Sequence, residues 1–356
     1  MIPLLRYIIF GTALPQNFSR SQEEWHDIAH EAHRNKISVL LCDAVERLPP
    51  TQRPPKEVIM TLVAQKEACE ANYGKAQEAL TTLNALLAKE SKGTDKDLPP
   101  LPLQVVKGFV LAHLYPTPQH RTFCDIDLYT GPYTEALALR MEAHGISCQR
   151  SNPRHITFRF HGVTIEAHQH LFFFPDDRSR YDSRTPLDMP PAWQALFFAA
   201  HACYDTLFFD YPVSLKTCVD WTLLLKSLDD KSLATMKKEK DGATFSHFAD
   251  ALTAYCHQLF PEAHLEKYFD TPDINTQDKA DTIILDMADA AAIPFEKIFR
   301  QFHLREHGTL MRVGRRSWKY IIYNRYYKKM FGKNMFAAFY FKKLRVALRQ
   351  KGHPAK

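Results

Sequence analysis

Apolar residues recur at helical spacing through most of the first 90 positions. Ser19 and Ser21 precede the run from Gln22 to Trp25, which predicts a helix start at this point. Two proline pairs, at 49–50 and 54–55, interrupt the chain. A long helix is predicted from about Glu57 to Lys89, because its apolar residues repeat with a period of about 3.6. These residues are Ile59, Leu62, Val63, Ala68, Ala76, Leu80, Leu83, Leu86 and Leu87.

The pattern changes after a charged linker at 91–102. Short apolar runs now alternate with helical stretches, and two of the runs flank His161-Gly162, which predicts a β-hairpin with its turn at the glycine. A strand, a helix and then a hairpin together predict a small mixed sheet with helices packed on it. The predicted strands are 103–106, 125–130, 156–160 and 163–166, and the predicted helices are 108–115 and 132–144.

Helical periodicity returns from about residue 190. It predicts helices at 192–207, 213–228, 244–260 and 276–290, and one or two basic helices within 309–350. The sequence therefore predicts an α+β protein in which a small mixed-sheet core lies between N-terminal and C-terminal helical regions. The four predicted regions are a helical region at 1–98, an α/β core at 99–187, a helical domain at 188–308 and a basic aromatic segment at 309–356.

The cysteines and the apolar segments favour a cytoplasmic protein. The seven cysteines are scattered singly with no Cys-x-x-Cys pair, which argues against a disulfide framework or a zinc cage. The apolar N-terminus is short and broken by Arg6, so a buried first helix is a better interpretation than a signal peptide. No stretch reaches the length of a transmembrane span.

Charge is distributed unevenly along the chain, whose net charge is +6. No acidic residue follows Glu306, and residues 312–351 interleave lysines and arginines with aromatic residues. Three interpretations stay open for this segment. It forms helices whose aromatic side chains pack on the body, or it binds nucleic acid through phosphate and stacking contacts, or it attaches to an anionic membrane surface.

Asp125 and Asp127 are the most informative residues of the predicted core. Residues i and i+2 of a strand point to the same face, so the two carboxylates project together while Ile126 faces the core. Adjacent carboxylates repel each other unless a cation lies between them, and Mg²⁺ is a common cation that takes hard oxygen ligands. Because Asp-x-Asp alone is common by chance, the neighbouring motifs decide its meaning.

Those motifs resemble a known family. Their order is Lys107-Gly108, Tyr115-Pro116, Arg121, Asp125-Ile126-Asp127-Leu128 and Ile165-Glu166-Ala167-His168. This order is similar to that of the nucleotidyltransferase superfamily with the DNA polymerase β-like fold, and within it to the uncharacterised bacterial nucleotidyltransferase family. The resemblance implies transfer of a nucleoside monophosphate group from a nucleoside triphosphate to an acceptor.

The resemblance also implies roles for individual residues. Asp125, Asp127 and Glu166 would be the catalytic carboxylates and would hold Mg²⁺ or Mn²⁺. Lys107, Gly108 and Arg121 would bind the nucleotide, with the glycine letting backbone N–H groups approach phosphate. The chain departs from the superfamily at Phe109, where a second small residue usually follows the glycine. The alternative function is a catalytically silent binding protein that contacts nucleic acid or another protein through the basic segment.

Other polar residues carry weaker signals. The histidines at 155, 161, 168 and 170 are close in sequence, but no cysteine or helical i,i+4 pair supports a zinc site. His168 is interpreted as an ordinary hydrogen-bonded histidine. His201 and Asp220 match the helical region of the family, and Asp220 is predicted to be a capping or packing partner. Finally, crowding of the acids predicts that Asp127→Asn leaves stability without metal unchanged or slightly raised.

Overall fold

The computed structural model describes residues 1–14, 18–90, 101, 103–150, 155–208 and 213–268. Met1–Ala243 and Leu252–Phe269 belong to one compact unit, while Thr244–Ala251 belongs to a second unit. The predicted helices at 276–290 and 309–350 lie outside the described residues, as does the basic segment at 312–351. The region boundaries at 98, 187 and 308 stay predictions.

The N-terminal region is helical, as predicted. Its second helix begins at Ser21, whose hydroxyl accepts a hydrogen bond from the backbone N–H of Glu24 while the Glu24 carboxylate accepts one from the N–H of Ser21. This reciprocal pair satisfies two N–H groups that a helix start otherwise leaves without partners. The helices are α1 (Ile2–Phe10), α2 (Gln22–Arg34), α3 (Ser38–Glu46) and the 35-residue α4 (Lys56–Glu90).

A five-stranded mixed sheet follows, which confirms the predicted mixed α/β character. The strand order is β1-β2-β5-β4-β3, in which β2 and β5 are parallel and the other pairs are antiparallel. The predicted hairpin is β4–β5, and its turn residues His161 and Gly162 both have positive φ. The elements are β1 (Gln104–Val106), α5 (Gly108–Ala112), β2 (Asp125–Tyr129), α6 (Thr134–Ala143), β3 (Cys148–Gln149), β4 (His155–Phe160) and β5 (Val163–His168).

Helices make up the rest of the described chain. Three of them match predicted helices, whereas α7 and α10 were not predicted. The helices are α7 (Pro175–Tyr181), α8 (Pro191–Phe208), α9 (Leu215–Lys226), α10 (Asp230–Lys240) and α11 (Ser246–Leu259). Within the described part of the chain, no helix combines the length and the apolar character that crossing a membrane requires.

The sheet has one apolar face and one polar face, because successive side chains of a strand alternate between faces. The apolar face packs against α4 and α6 and forms a core with them. Leu83 of α4 is fully buried in this core. The strand side chains of the core are Ile126, Leu128, Phe158, Phe160, Val163, Ile165 and Ala167. This packing fixes the sheet and leaves its opposite face for polar residues.

Leu83→Ala is expected to lower the free energy of unfolding by about 2 to 5 kcal/mol, because it removes apolar contacts and leaves a cavity in the core. Met60→Ala on the same helix is the matched control, since Met60 is 60% exposed. Urea denaturation of both variants measures the difference. An equal loss of unfolding free energy in the two variants would contradict the packing of Leu83 in the core.

Candidate functional site

The polar face of the sheet gathers the predicted carboxylates. In the parallel β2–β5 pair, Asp127 is the register partner of Glu166. Asp125 lies two residues before Asp127 on the same strand, so it projects from the same face. The structure thus brings Asp125, Asp127 and Glu166 to one face of two adjacent strands, despite the 39 or more residues that separate Glu166 from the aspartates in sequence.

Asp127 is the most enclosed of the three carboxylates, with a side chain that is 1% exposed. Its Oδ1 lies 3.0 Å from Nε2 of His168, and its Oδ2 lies 3.6 Å from Nζ of Lys107. Burial by itself would raise the pKa of Asp127, but the charge of Lys107 and the hydrogen bond from His168 outweigh it and hold this pKa well below its usual range. Asp127 is therefore ionised at neutral pH, and Nε2 of His168 is the donor.

The pKa of Asp125 is shifted in the opposite direction from that of Asp127. Burial and the neighbouring charge of Asp127 raise the pKa of Asp125, and Lys107 only partly offsets them. Relative to water, the folded protein thus disfavours the charge of Asp125 and favours the charge of Asp127. The two pKa values differ because Lys107 and His168 contact Asp127, while Asp125 is partly buried beside the charge of Asp127.

The Lys107 side chain contacts His201 in addition to Asp127. Its Nζ lies 2.8 Å from Nε2 of His201, and His201 Nδ1 lies 3.0 Å from a carboxylate oxygen of Asp205, both on α8. Burial first, and then the charge of Lys107, lowers the pKa of His201. The neutral ring therefore accepts from Lys107 at Nε2 and donates from Nδ1 to Asp205. Sequence reasoning missed Asp205, although its i,i+4 spacing to His201 is a readable signal.

The backbone at Lys107 is strained. Its φ is 59° and its ψ is −117°, a conformation that glycine adopts easily and that a residue with a Cβ rarely adopts. Such a conformation costs on the order of 1–3 kcal/mol and is found most often at functional sites. The strain lies at the junction between β1 and α5, where Lys107 turns toward the carboxylates.

The side chain of Arg121 lies inside the protein. Its guanidinium is buried, forms two hydrogen bonds of 2.7 and 2.8 Å with the Asp220 carboxylate, and donates a third, of 2.8 Å, to the carbonyl of Gly108. Its geometry thus gives no support to a phosphate contact, because the side chain is engaged within the protein. Asp220 also accepts from Tyr115 and Lys216, so the prediction that it is a packing partner is confirmed.

The buried Arg121–Asp220 pair ties three segments of the chain together. Asp220 lies on α9, Arg121 precedes β2, and the carbonyl of Gly108 belongs to the first residue of α5. Burial would raise the pKa of Asp220, but the charges of Arg121 and Lys216 outweigh it and lower this pKa to about 2. The pair therefore holds the Lys107-Gly108 turn in position behind the carboxylates.

Gly108 and Phe109 follow the strained turn. A Cβ at Gly108 would come no closer than 3.5 Å to the neighbouring atoms of the protein, which is ordinary contact, so local crowding does not require a glycine. Phe109 stacks on Tyr73 of α4 with ring centroids 4.9 Å apart, and it packs against the apolar core. The residue that departs from the superfamily pattern therefore has a packing role on the α4 side of the turn.

Two histidines lie beside Glu166. His155 and His168 are register partners in the antiparallel β4–β5 pair, and their rings are 5.0 Å apart between centroids. Oε2 of Glu166 is 3.3 Å from Nδ1 of His155 and 3.8 Å from Nε2 of His168. The sequence showed these histidines close together in the chain, but the missing cysteines and helical i,i+4 pairs argued against a zinc site, and the pairing of His155 with His168 was overlooked. Extending both predicted strands from the turn at 161–162 would have revealed it, because a two-residue loop fixes the cross-strand pairing.

The donor atoms on this face suit a divalent cation. Oδ2 of Asp127 is buried and accepts no hydrogen bond from the described residues. Ionised carboxylates are the hard oxygen ligands that Mg²⁺ and Mn²⁺ favour, and the strand register supplies Asp125, Asp127 and Glu166 on one face. These residues therefore fit the ion that the sequence resemblance implies.

Comparison with known proteins gives the family. A model of a family described as uncharacterised nucleotidyltransferase matches residues 21–261. The chain belongs to this family. No curated protein matches the chain significantly, and neither does any solved structure. The matched range contains all of the strands and the complete set of site residues described above, and membership implies a nucleotide substrate in general terms.

The two aspartates of this nucleotidyltransferase family member are expected to affect stability in opposite directions without ligand. Asp127→Asn removes a carboxylate whose lowered pKa shows that its charge stabilises the fold above the unfolded pKa of about 3.9. Asp125→Asn removes a carboxylate whose raised pKa shows that its charge destabilises the fold at neutral pH.

Thermal unfolding at pH 7 in a chelating buffer measures this difference. We expect a lower midpoint for Asp127→Asn and an equal or higher midpoint for Asp125→Asn. The sequence alone predicted unchanged or slightly raised stability for Asp127→Asn; the burial of Asp127 beside Lys107 and His168 leads to the opposite prediction. Midpoints that shift equally in the two variants would show that Lys107 and His168 do not stabilise the charge of Asp127.

Asp220→Asn is expected to lower the free energy of unfolding by about 3 to 5 kcal/mol, because it leaves Arg121 buried without its counter-charge. The pKa of about 2 adds a pH signature. The contribution of Asp220 is complete above its unfolded pKa of about 3.9 and is lost as pH falls toward 2. Denaturant unfolding between pH 7 and pH 3 measures both effects. Glu142→Gln, which changes a surface ion pair with Arg150, is the control and should change little.

Proposed function

We propose that this chain transfers a nucleoside monophosphate group from a nucleoside triphosphate to an acceptor, using a polymerase β-like nucleotidyltransferase core. The observation that carries the proposal is the in-register pair Asp127–Glu166 with Asp125 on the same face of the sheet. A protein that only bound a partner would have no need to collect three carboxylates beside a partly buried lysine. The family of the chain supports the same activity.

In this proposal the three carboxylates hold Mg²⁺ or Mn²⁺. When bound there, a divalent cation would neutralise charge on the triphosphate and favour the ionised form of the attacking hydroxyl. The residues of the chain themselves hold the charged groups of the site in position. Asp127 is ionised and fixed by His168, so its charge is available at neutral pH without rearrangement.

Lys107 is proposed to contact the phosphates of the nucleotide. Its ammonium lies beside Asp127, and its hydrogen bond to His201 prevents the side chain from turning away from the carboxylates. His201 and Asp205 are therefore proposed as positioning residues. Gly108 is proposed to present backbone N–H groups near the same phosphates, while Arg121 fixes the Gly108 carbonyl on the protein side of the turn.

Binding of nucleotide is tested by thermal shift with each of the four triphosphates and Mg²⁺ or Mn²⁺. A ligand at 100 times its dissociation constant stabilises the folded state by about 2.7 kcal/mol. We expect this shift in the wild type, its loss in Asp127→Asn, and a reduced shift in Lys107→Ala. Lys75→Ala is the matched control, because Lys75 is exposed on α4. A full shift in Asp127→Asn would remove Asp127 from the proposed site.

Catalysis is tested by pyrophosphate release in the presence of candidate acceptors, including free hydroxyl compounds, RNA and protein. We expect release that requires both the divalent ion and Asp127. The alternative function, a silent nucleotidyltransferase-like binding protein, predicts nucleotide-independent binding of nucleic acid or protein and no pyrophosphate with any acceptor. The basic segment on which that alternative depends lies outside the described residues.

A further inference from the structure

The histidine pair on β4 and β5, together with Glu166, offers a second set of ligand atoms beside the proposed carboxylate site. One nitrogen from His155, one from His168 and a carboxylate oxygen of Glu166 all lie within 4.8 Å of one another. Both histidines are buried, while Glu166 is partly exposed. The three side chains come from two paired strands, so a rigid part of the fold positions them rather than a loop.

The spacing of these atoms is near that of a metal site. Ligands bound at about 2.0 to 2.2 Å with tetrahedral angles lie about 3.3 to 3.6 Å apart. Glu166 Oε2 lies 3.3 Å from His155 Nδ1, which is within this range, and one ligand atom from each of the three residues lies within 4.8 Å of the others. Because the bound of 4.8 Å exceeds the tetrahedral spacing, completing a three-ligand set requires side-chain movement of up to about 1 Å.

His168 has a second ring nitrogen that does not take part in its hydrogen bond to Asp127. Its Nε2 donates to Asp127, which places the lone pair of a neutral ring on Nδ1. This Nδ1 is buried and has no hydrogen-bond partner among the described residues. A histidine that binds a metal through one nitrogen and a carboxylate through the other is the usual arrangement at protein metal centres, because the carboxylate orients the ring.

The chemistry of the set differs from that of the three proposed carboxylates. Two imidazoles, which are borderline ligands, together with one hard carboxylate suit divalent transition metals such as Zn²⁺ or Co²⁺ far better than Mg²⁺. We propose that His155, Glu166 and His168 form a binding site for a divalent transition-metal ion, with Glu166 shared between this site and the proposed carboxylate site.

The test uses the full chain loaded with Co²⁺, whose visible d–d absorption reports low-coordinate nitrogen and oxygen ligation. We expect saturation near one ion per chain and displacement by Zn²⁺. Loss of a residue that only orients a metal ligand weakens metal binding by about 10- to 100-fold. His155→Gln and His168→Gln should each weaken Co²⁺ binding by more than this, because each variant removes a ligand. His30→Gln, an exposed histidine on α2, is the matched control and should bind as the wild type does.

Two further measurements keep the test decisive. Asp125→Asn lies outside the histidine set, so it should keep the Co²⁺ spectrum while losing the thermal shift with Mg²⁺ and nucleotide. If the wild type shows no thermal shift with Mg²⁺ and nucleotide, the proposed function fails, while the Co²⁺ spectrum still tests the metal site independently. If a histidine variant does not fold, pulsed EPR of the wild type with one equivalent of Cu²⁺ counts the coordinated imidazoles. Two imidazoles are expected. No stoichiometric Co²⁺ binding, equal binding in His155→Gln and wild type, or no imidazole coupling would overturn the proposal.

Discussion

The parallel pairing of β2 with β5 is the constraint on which the candidate site depends. Side chains alternate between the faces of a strand, so the register that aligns Asp127 with Glu166 also aligns Ile126 with Ile165 in the core. A slip of one residue would exchange the faces and place carboxylates against α4. The apolar packing of the sheet and the convergence of the acids are therefore two consequences of one register.

Convergence of acids has an electrostatic cost that the surrounding residues offset. Lys107 and His168 contact Asp127 and favour its ionised form, while Asp125 is left with a raised pKa. The lysine is itself held by His201, and its backbone is strained. A fixed cation beside crowded carboxylates is an arrangement that an incoming divalent ion or phosphate can exploit, because the groups are already oriented.

The buried Arg121–Asp220 pair supports the Lys107-Gly108 turn. Arg121 and Asp220 satisfy each other, and Arg121 also binds the Gly108 carbonyl, so α9 is linked directly to the start of α5. A buried pair of this kind contributes little net stability compared with apolar packing, but loss of either partner is costly. Its effect is thus to fix the position of the turn, which explains why the arginine of the motif lies inside the protein rather than at its surface.

The sequence by itself determined the elements whose signals are local. The capping residues of α2, the apolar period of α4, the alternation in β2 and the glycine turn of the β4–β5 hairpin each identified an element close to its observed bounds. The same local rules placed Asp125 and Asp127 on one face. Short or strongly charged elements such as β3 and α10 escaped prediction, because two residues or a charged helix give too weak a periodic signal.

Only the tertiary structure decided which distant residues meet. The partner of Arg121 is Asp220, 99 positions away, and the partner of Lys107 is His201, 94 positions away. His155 joined Glu166 and His168 because the hairpin register brings them together, while their spacing along the chain resembles no metal motif. Motifs specify residue types only. The packing of helices against the sheet decides that Arg121 is buried in an ion pair while Lys107 lies beside the carboxylates. That packing is a long-range property, and local sequence patterns do not encode it.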